Sequence, residues 1–583
     1  MAAQTLVAPE SFIMAPTLPA RPDEPPADDR LDSWKEIAAF LKRGVRTVQR
    51  WERTEALPVR RHQHAKLGSV YALKSEVAEW WDSRGTLLEA APAPARGAAV
   101  RPRAAGDPRR RLLVLPFANL SGDAQQDYLS EGLTEEMITG LARLQPGRLS
   151  VIARSTALSY KSGAKPAEQI AAELDLDYLL EGSVRAAGGR VRVTAQLVDA
   201  REHTHVWAEN YDRDLGDVLE VQADVAAAIA REVRLAIAPA ERAAASASRP
   251  TRRVDAETYQ AYLMGRYLLN QMTAASLGQS LEWFGRAVAR SQNSGTEHAL
   301  SHAGIAQGYA LLATVPFDAL AAHEAMPKAA AAARRALELD PTLPEAHAAL
   351  GLVLHHYEWN WAEAERAYQR ALELNPDYTA ALLRYAWLLL ALGRAEEALE
   401  RIARAQEIAE EIDPHLLVVV RATRASALYF ARKFDAVIAE CREALKLDAR
   451  FYLLHYLLSR ALARTGRRAA AVAALARTKS VWKDVPLVAA GAGLAYAIAG
   501  RRAEATRMLR RLEAQRKRRN IPATYIGIVY AGLGNYDAAF QWLERAFEER
   551  ADGLTLLNAE PLGERFRADP RFVSLVRRIG LPQ

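Results

Sequence analysis

Four turn positions, Arg432, Gly466, Gly500 and Gly534, recur every 34 residues. Five residues after each comes a small or β-branched side chain, Val437, Ala471, Ala505 or Ala539. Seven residues before each lies Ala425, Ser459, Gly493 or Gly527, and the larger Leu428, Leu462, Tyr496 and Tyr530 follow these small residues. Small groups at a fixed interval mark places where two helices cross closely, and the glycine-like position marks the turn between them. Such a period dictates helix–turn–helix units that bury their apolar faces only by stacking on one another.

Upstream, RRALELDP (Arg334–Pro341) and QRALELNP (Gln369–Pro376) repeat 35 residues apart. Each ends a helix at Asp-Pro or Asn-Pro, since proline cannot continue the hydrogen-bond ladder. The turn Glu358-Trp359-Asn360-Trp361 accommodates the extra residue. This spacing resembles that of tetratricopeptide repeats and covers residues 254–583. The resemblance implies an all-α superhelix whose concave groove takes a protein or peptide partner. The atypical ending GERFRADPRFVSLVRRIGLPQ is expected to cap the last repeat, and the basic run Gln515–Asn520 to be a solvated helix end.

At 583 residues the chain is too long for one core, and its composition shifts show where it divides. Residues 1–30, rich in Pro, Ala and acidic groups, read as a disordered tail. Residues 85–110 and 239–253 read as linkers, because dense Pro and Ala without period cannot close a core. Three folded parts remain, at 31–84, 111–238 and 254–583. A single cysteine excludes an internal disulfide framework and suits a reducing compartment. No uncharged stretch reaches the roughly 18–20 residues of a spanning helix, and the start lacks the basic-then-apolar pattern of a signal peptide. A cytoplasmic protein with no membrane association is expected.

In the first folded part, WKEIAAFLKRGVRTVQRW (34–51) carries Ile37, Leu41, Val48 and Trp51 at the positions that close two short helices over one core. Ala38 is small where the second helix crosses, and Val45 tucks the turn inward. The expected helices are Trp34–Leu41 and Arg46–Arg53. A β-hairpin turning near Leu67-Gly68 and a helix over Lys74–Trp81 follow. Between Lys42 and Lys66 eight Lys/Arg stand against Glu52 and Glu55, a concentrated positive potential. Thr47, Gln49, Arg50 and Arg53 face away from the core positions and have the reach to contact base edges in a major groove. Arg43 and Arg46 flank them, while Arg60, Arg61 and Lys66 on the hairpin suit the DNA backbone or minor groove. EIAAFL, VRTVQRWE, LPVRR and SVYALKSEV resemble the winged helix-turn-helix domains of the excisionase and mercury-resistance-regulator superfamily. That resemblance implies binding to double-stranded DNA. Lys42 and Arg43 replace the usual turn glycine and apolar residue, so the turn is expected to be longer. One such module touches little DNA, so specificity calls for a homodimer or a helper protein.

Residues 111–238 alternate strands and helices in the order βαβαβββα, a mixed sheet with helices packed on it. The expected strands are Leu112–Phe117, Leu149–Ala153, Tyr178–Arg185, Arg190–Val198 and His205–Tyr211. The expected helices are Gly132–Leu144, Pro166–Leu174 and Asp217–Ile237. In RVRVTAQLVD, Val191, Val193, Ala195 and Leu197 share one face. LPFANLSGDAQQDYLSEGLTEEMITGL, LEGSVR, VRVTAQLVDA and HVWAENYDRDL resemble the domain shared by the amino-terminal part of TolB-like proteins and the FlgO flagellar proteins. Such domains are often joined to tetratricopeptide repeats and to either a DNA-binding module or a nucleotide-cyclase domain, and no cyclase domain is read here.

No catalytic constellation emerges. The Leu120-Ser121-Gly122-Asp123 turn lacks the Lys and glycine spacing of a phosphate loop. His203/His205 and His298/His302 are pairs without a third metal ligand nearby. Cys441 falls at a repeat-core position with no base, and Asp127, Glu131, Glu135 and Glu136 suit a helix start. A non-enzymatic, cofactor-free regulator or adaptor is expected, with a protein-interaction scaffold that no longer reads DNA as the alternative.

Overall fold

The computed structural model describes scattered residues between 30 and 77, then 109–214 with four short gaps, residue 228, and 256–582 with short gaps. The chain divides into two compact units, Met1–Ala93 and Pro94–Gln583.

In the first unit, α1 (Trp34–Phe40) begins where Ser33 Oγ accepts the Glu36 backbone N–H at 3.2 Å, satisfying a donor the helix cannot. Val45 and Val48 are also helical. Three short strands, β1 (Arg30–Leu31), β2 (Arg60–Arg61) and β3 (Val70–Leu73), form an antiparallel sheet in the order β1-β3-β2. Arg30, expected to fall in the disordered tail, pairs with Leu73, and residues 1–29 lie outside the described ones. Leu31, Ile37, Ala38, Leu41, Val48, Ala72 and Val77 make the core, with Val45 half-buried against it.

The second unit starts with β4 (Arg110–Val114) and β5 (Ala118–Asn119), then α2 (Asp127–Leu144), β6 (Leu149–Val151), α3 (Arg154–Leu158) and α4 (Ala167–Leu174). β7 (Tyr178–Ala187), β8 (Arg190–Asp199) and β9 (Thr204–Asp214) complete a six-stranded mixed sheet. Its order is β6-β4-β7-β8-β9, with β5 alongside β7. β4 runs parallel to β6 and β7, whereas β7, β8 and β9 are antiparallel. The continuous apolar run Leu112–Val114 belongs at the sheet centre, where both faces are covered. Leu112 and Val114 face α2, and Leu113 faces α3 and α4. Val191, Val193, Ala195 and Leu197 are all buried, as the period-2 alternation requires.

Two expectations shift. The first long helix starts at Asp127 rather than Gly132, so Glu131, Glu135 and Glu136 lie inside it instead of at its start. Arg109 and Arg110 belong to the folded unit rather than to a linker: Arg110 opens β4 and Arg109 pairs with Glu411 at 2.8 Å. The helix expected at 217–237 falls outside the described residues except for buried Ala228, as does the second linker.

Eight helix pairs follow among the described residues. They are α5 (Ala256–Leu269) with α6 (Ala274–Asn293), α7 (Ala299–Leu312) with α8 (Ala322–Leu339), and α9 (Pro344–Val353) with α10 (Trp361–Leu374). Next come α11 (Thr379–Ala391) with α12 (Ala395–Ile412), α13 (Leu417–Phe430) with α14 (Phe434–Ala444), and α15 (Tyr452–Arg464) with α16 (Arg468–Ala476). The last pairs are α17 (Pro486–Ile498) with α18 (Arg502–Arg516) and α19 (Ala523–Gly532) with α20 (Tyr536–Glu548). α21 (Glu564–Arg567) and α22 (Pro570–Ile579) close the chain against α20, with Arg578 bonded to Glu544.

The periodic residues act as their spacing demands. Arg432, Gly466, Gly500 and Gly534 all adopt left-handed φ, between 61° and 79°. The next backbone N–H reaches back to Leu428, Leu462, Tyr496 and Tyr530, satisfying carbonyls at the end of the first helix. Gly393 does the same one repeat earlier. At the crossings a Cβ on Gly493 would stand 2.9 Å from Val529 Cγ2, and one on Gly527 3.2 Å from Leu543 Cγ. The longer repeat absorbs its extra residue differently from the expectation. Leu354–Glu358 winds as a π turn, and Trp359 then reverses the chain with φ 56°.

Candidate functional site

The DNA-facing surface expected on the first unit cannot be built from the described residues. Arg43, Arg46, Thr47, Gln49, Arg50, Arg53 and Lys66 lie outside them. Arg60 and Arg61 are placed by backbone only, paired with Tyr71 and Val70 across the hairpin. Ile37, Ala38, Leu41 and Val48 do share one buried core.

The middle domain and the first helix pair are joined by one core rather than separated. Tyr259, Tyr262, Leu263 and Phe284 pack with Leu129, Leu133 and Met137 of α2. A Cβ on Gly132 would meet Leu263 Cδ2 at 2.8 Å, so glycine lets α5 approach. Tyr262 donates to Glu136 at 2.7 Å, and Arg266 bonds Glu135 at 3.1 Å. Arg154 bridges Glu131 and Glu135. Burial, followed by the Glu136 charge, pushes the Tyr259 and Tyr262 hydroxyls well up, so both stay protonated. Sequence reasoning took these glutamates for helix-start charges; they tie α2 to α3 and α5.

On the face built by the first helices of the pairs, where a partner was expected, the chain's own closing segment packs against α11, α13, α15 and α19. A 3₁₀ turn, Asp552–Leu556, packs against the π turn, α11, α19 and α20. Leu554 is fully buried, and Glu560 accepts from Tyr429 of α13 and pairs with Arg460 of α15. Arg460 also donates to Tyr456 at 2.7 Å and lies 4.3 Å from the Tyr429 ring centroid. The loop after α7 completes the closure. Asp318 accepts from Tyr525 at 2.6 Å, Asp552 accepts the Val315 backbone N–H at 3.1 Å, and Asn520 bonds the Asp318 and Leu320 carbonyls. Asn520, at the end of the expected solvated run, is thus a tertiary contact, while Lys517–Arg519 stay exposed.

Burial raises the pKa of Asp318 and of Asp552, and for Asp318 the neighbouring Asp552 charge adds to it. The folded closure therefore retains protons that the unfolded chain has released. Its contribution is fully present at acid pH and is lost as pH rises through the folded values. The melting temperature is expected to fall between pH 6 and 8.5 by more in the native protein than in an Asp318→Asn variant. Matching pH profiles for the two proteins would reject this account.

A groove of about 630 Å³ is open between α12 and α13, lined by Glu396, Glu400, Glu407, Glu410, Arg424 and the turn residue Lys433 over Leu399 and Leu428. Cys441 is buried, and burial followed by the Glu440 charge pushes its thiol up to about 12, unsuited to nucleophilic work. His302 has an acidic neighbour that the sequence did not reveal, Glu297 at 3.3 Å, but Arg335 also holds that carboxylate. No group of three or more metal-binding side chains occurs among the described residues, and none of their helices is long and apolar enough to cross a membrane.

Residues 109–228 match the family described as HilA/YgeH-like transcriptional regulator, second domain, and 358–417 match a tetratricopeptide repeat family. A Rhizobium meliloti protein named putative adenylate cyclase 3 is 32% identical over 247 residues, 42% of this chain and 40% of that protein. The Salmonella typhimurium transcriptional regulator HilA is 25% identical over 307 residues, 52% of this chain and 51% of that protein. The chain thus spans about half or less of the curated relatives it matches. Among solved structures, the type IV pilus biogenesis factor PilW overlays with a TM-score of 0.29 at 18% identity, covering 34% of this chain and 88% of that one. The mixed-sheet domain is similar to the second domain of HilA/YgeH-like transcriptional regulators, and the stacked pairs after it include a tetratricopeptide repeat.

Proposed function

We propose that this protein is a bacterial, cytoplasmic DNA-binding transcriptional regulator in which a winged helix-turn-helix reads duplex DNA and the helix pairs receive a protein partner. The observation that carries the reading is the match of residues 109–228 to a domain of transcriptional regulators, next to a strongly cationic amino-terminal module. In that module Arg43, Arg46, Thr47, Gln49, Arg50 and Arg53 would present to the major groove, and Arg60, Arg61 and Lys66 to the backbone. The resemblance of the module to excisionase-type winged domains, and of the middle domain to TolB-amino-terminal and FlgO-like domains, supports the same arrangement. Where the closing segment occupies the first-helix face, the groove between α12 and α13 remains available to a partner. A homodimer would double the contacted DNA.

The role is non-catalytic and cofactor-free in this proposal. The part shared with the cyclase-named relative, 40% of that protein, is taken as regulatory. Full-length protein should bind duplex DNA in low salt, with affinity falling as salt rises. Each base-contacting arginine contributes about 1–3 kcal/mol, so the Arg50→Ala/Arg53→Ala double variant should bind at least about tenfold more weakly in a mobility-shift titration. Unchanged affinity in that variant would reject the proposed reading helix. Genome-wide mapping of bound DNA would then identify the sites.

A further inference from the structure

The π turn at Leu354–Glu358 sets two consecutive histidines side by side, His355 buried and His356 half-buried, with their ring centroids 3.9 Å apart. Neither nitrogen of His355 and not Nδ1 of His356 has a hydrogen-bond partner. On α10, Tyr368 is fully buried against Gly351, where a Cβ would stand 2.9 Å from its ring, and its hydroxyl is also unpartnered. On α11, Arg384 has one buried, unpartnered Nη and no ion-pair partner among the described residues. The charge of Arg384 acts on both neighbours. Burial first and Arg384 second push His356 down to about 3, and Arg384 opposes the upward push of burial on Tyr368.

Orphaned buried donors are rare in folded proteins, and a guanidinium without a counter-charge is the costliest of them. Here such groups come from the π turn and α10, with the half-buried Arg384 of α11 as the neighbouring permanent charge. Single π turns within helices recur at functional sites.

We propose that the π turn, α10 and α11 form a binding site for one small oxyanion, a phosphate or carboxylate group. Arg384 supplies the charge and the planar donor pair, and Tyr368 and His356 supply further donors. An anion there would offset the Arg384 charge, which adds to burial in keeping His356 neutral. The inference is independent of DNA reading, because it rests on residues of the repeats alone.

The test is calorimetric titration of the full-length protein, in a buffer of bulky non-coordinating ions, with inorganic phosphate and separately with acetate. Imidazole signals are followed by NMR. One anion should bind, and the His356 titration should move upward when it does. Arg384→Met should abolish binding. Tyr368→Phe, which keeps the ring against Gly351, should weaken it about tenfold, the loss of one charge-assisted hydrogen bond. Binding of acetate without phosphate would assign the site to a carboxylate, and the reverse to a phosphate group. The proposal is overturned if neither anion produces heat or moves His356 in the native protein, or if both variants bind like it. Should Arg384→Met fail to fold, Tyr368→Phe decides alone.

Discussion

Replacing Glu560 by alanine is expected to destabilise the second unit by about 3–5 kcal/mol, the cost of leaving a buried charge without its partner. Arg460 is nearly inaccessible, with side-chain exposure of 4% against 10% for Glu560. Its remaining contacts, the Tyr456 hydroxyl and the Tyr429 and Tyr456 rings, carry no negative charge. Arg464, 3.9 Å from Glu560, would lose the same neighbour. Glu560→Gln keeps an acceptor in place and should cost less. Pairing Arg460→Met with Glu560→Leu should recover most of the loss, because two apolar residues need no compensation. Urea denaturation followed by helical circular dichroism reads all three. A Glu560→Ala midpoint within error of the native one would show that the closing segment does not hold the inner face together.

Gly491→Ala is expected to be the next most damaging change, at about 1–3 kcal/mol for an overpacked core. A Cβ there would fall 1.7 Å from Tyr456 Cε2, so the ring must move. That ring cannot move freely, since its hydroxyl accepts from Arg460. The substitution on α17 therefore strains the same network that Glu560 completes from the far end of the chain. The two changes should be non-additive in a double-mutant cycle, with a coupling above about 0.5 kcal/mol. Simple additivity would mean that α17 tolerates the methyl group without shifting Tyr456.

What was legible in the sequence follows from the range of the interactions. The turns at Gly466, Gly500 and Gly534 are local, each set by one left-handed residue and one returning hydrogen bond, so a period of 34 reveals them. Even Arg432, a costly residue at such a turn, follows the period. The alternation in β8 is equally local. The π turn was not foreseen, because a one-residue insertion can be absorbed by loop or helix alike. The contacts of Glu560 with Arg460, of Asp318 with Tyr525 and of Arg109 with Glu411 join residues 100, 207 and 302 positions apart, with no periodic trace. For the same reason Glu135 and Glu136 looked like helix-start charges, since their partners come from other elements, Arg154 of α3 and Arg266 and Tyr262 of α5. The expected DNA-reading residues from Arg43 to Arg53 and Lys66 lie outside the described residues, so their assignment rests on charge placement and resemblance.

The tyrosine-rich seam between α2 and α5 has a consequence for how this chain can be divided. Cutting between the mixed-sheet domain and the repeats would bare Tyr259, Tyr262 and Leu263 on one fragment and Leu129, Leu133 and Met137 on the other. Each fragment would carry a sticky apolar scar prone to self-association. A well-behaved sheet fragment must therefore take α5 and α6 with it. For the same reason, a partner that tugs on the first helix pair loads the sheet directly instead of swinging on a hinge.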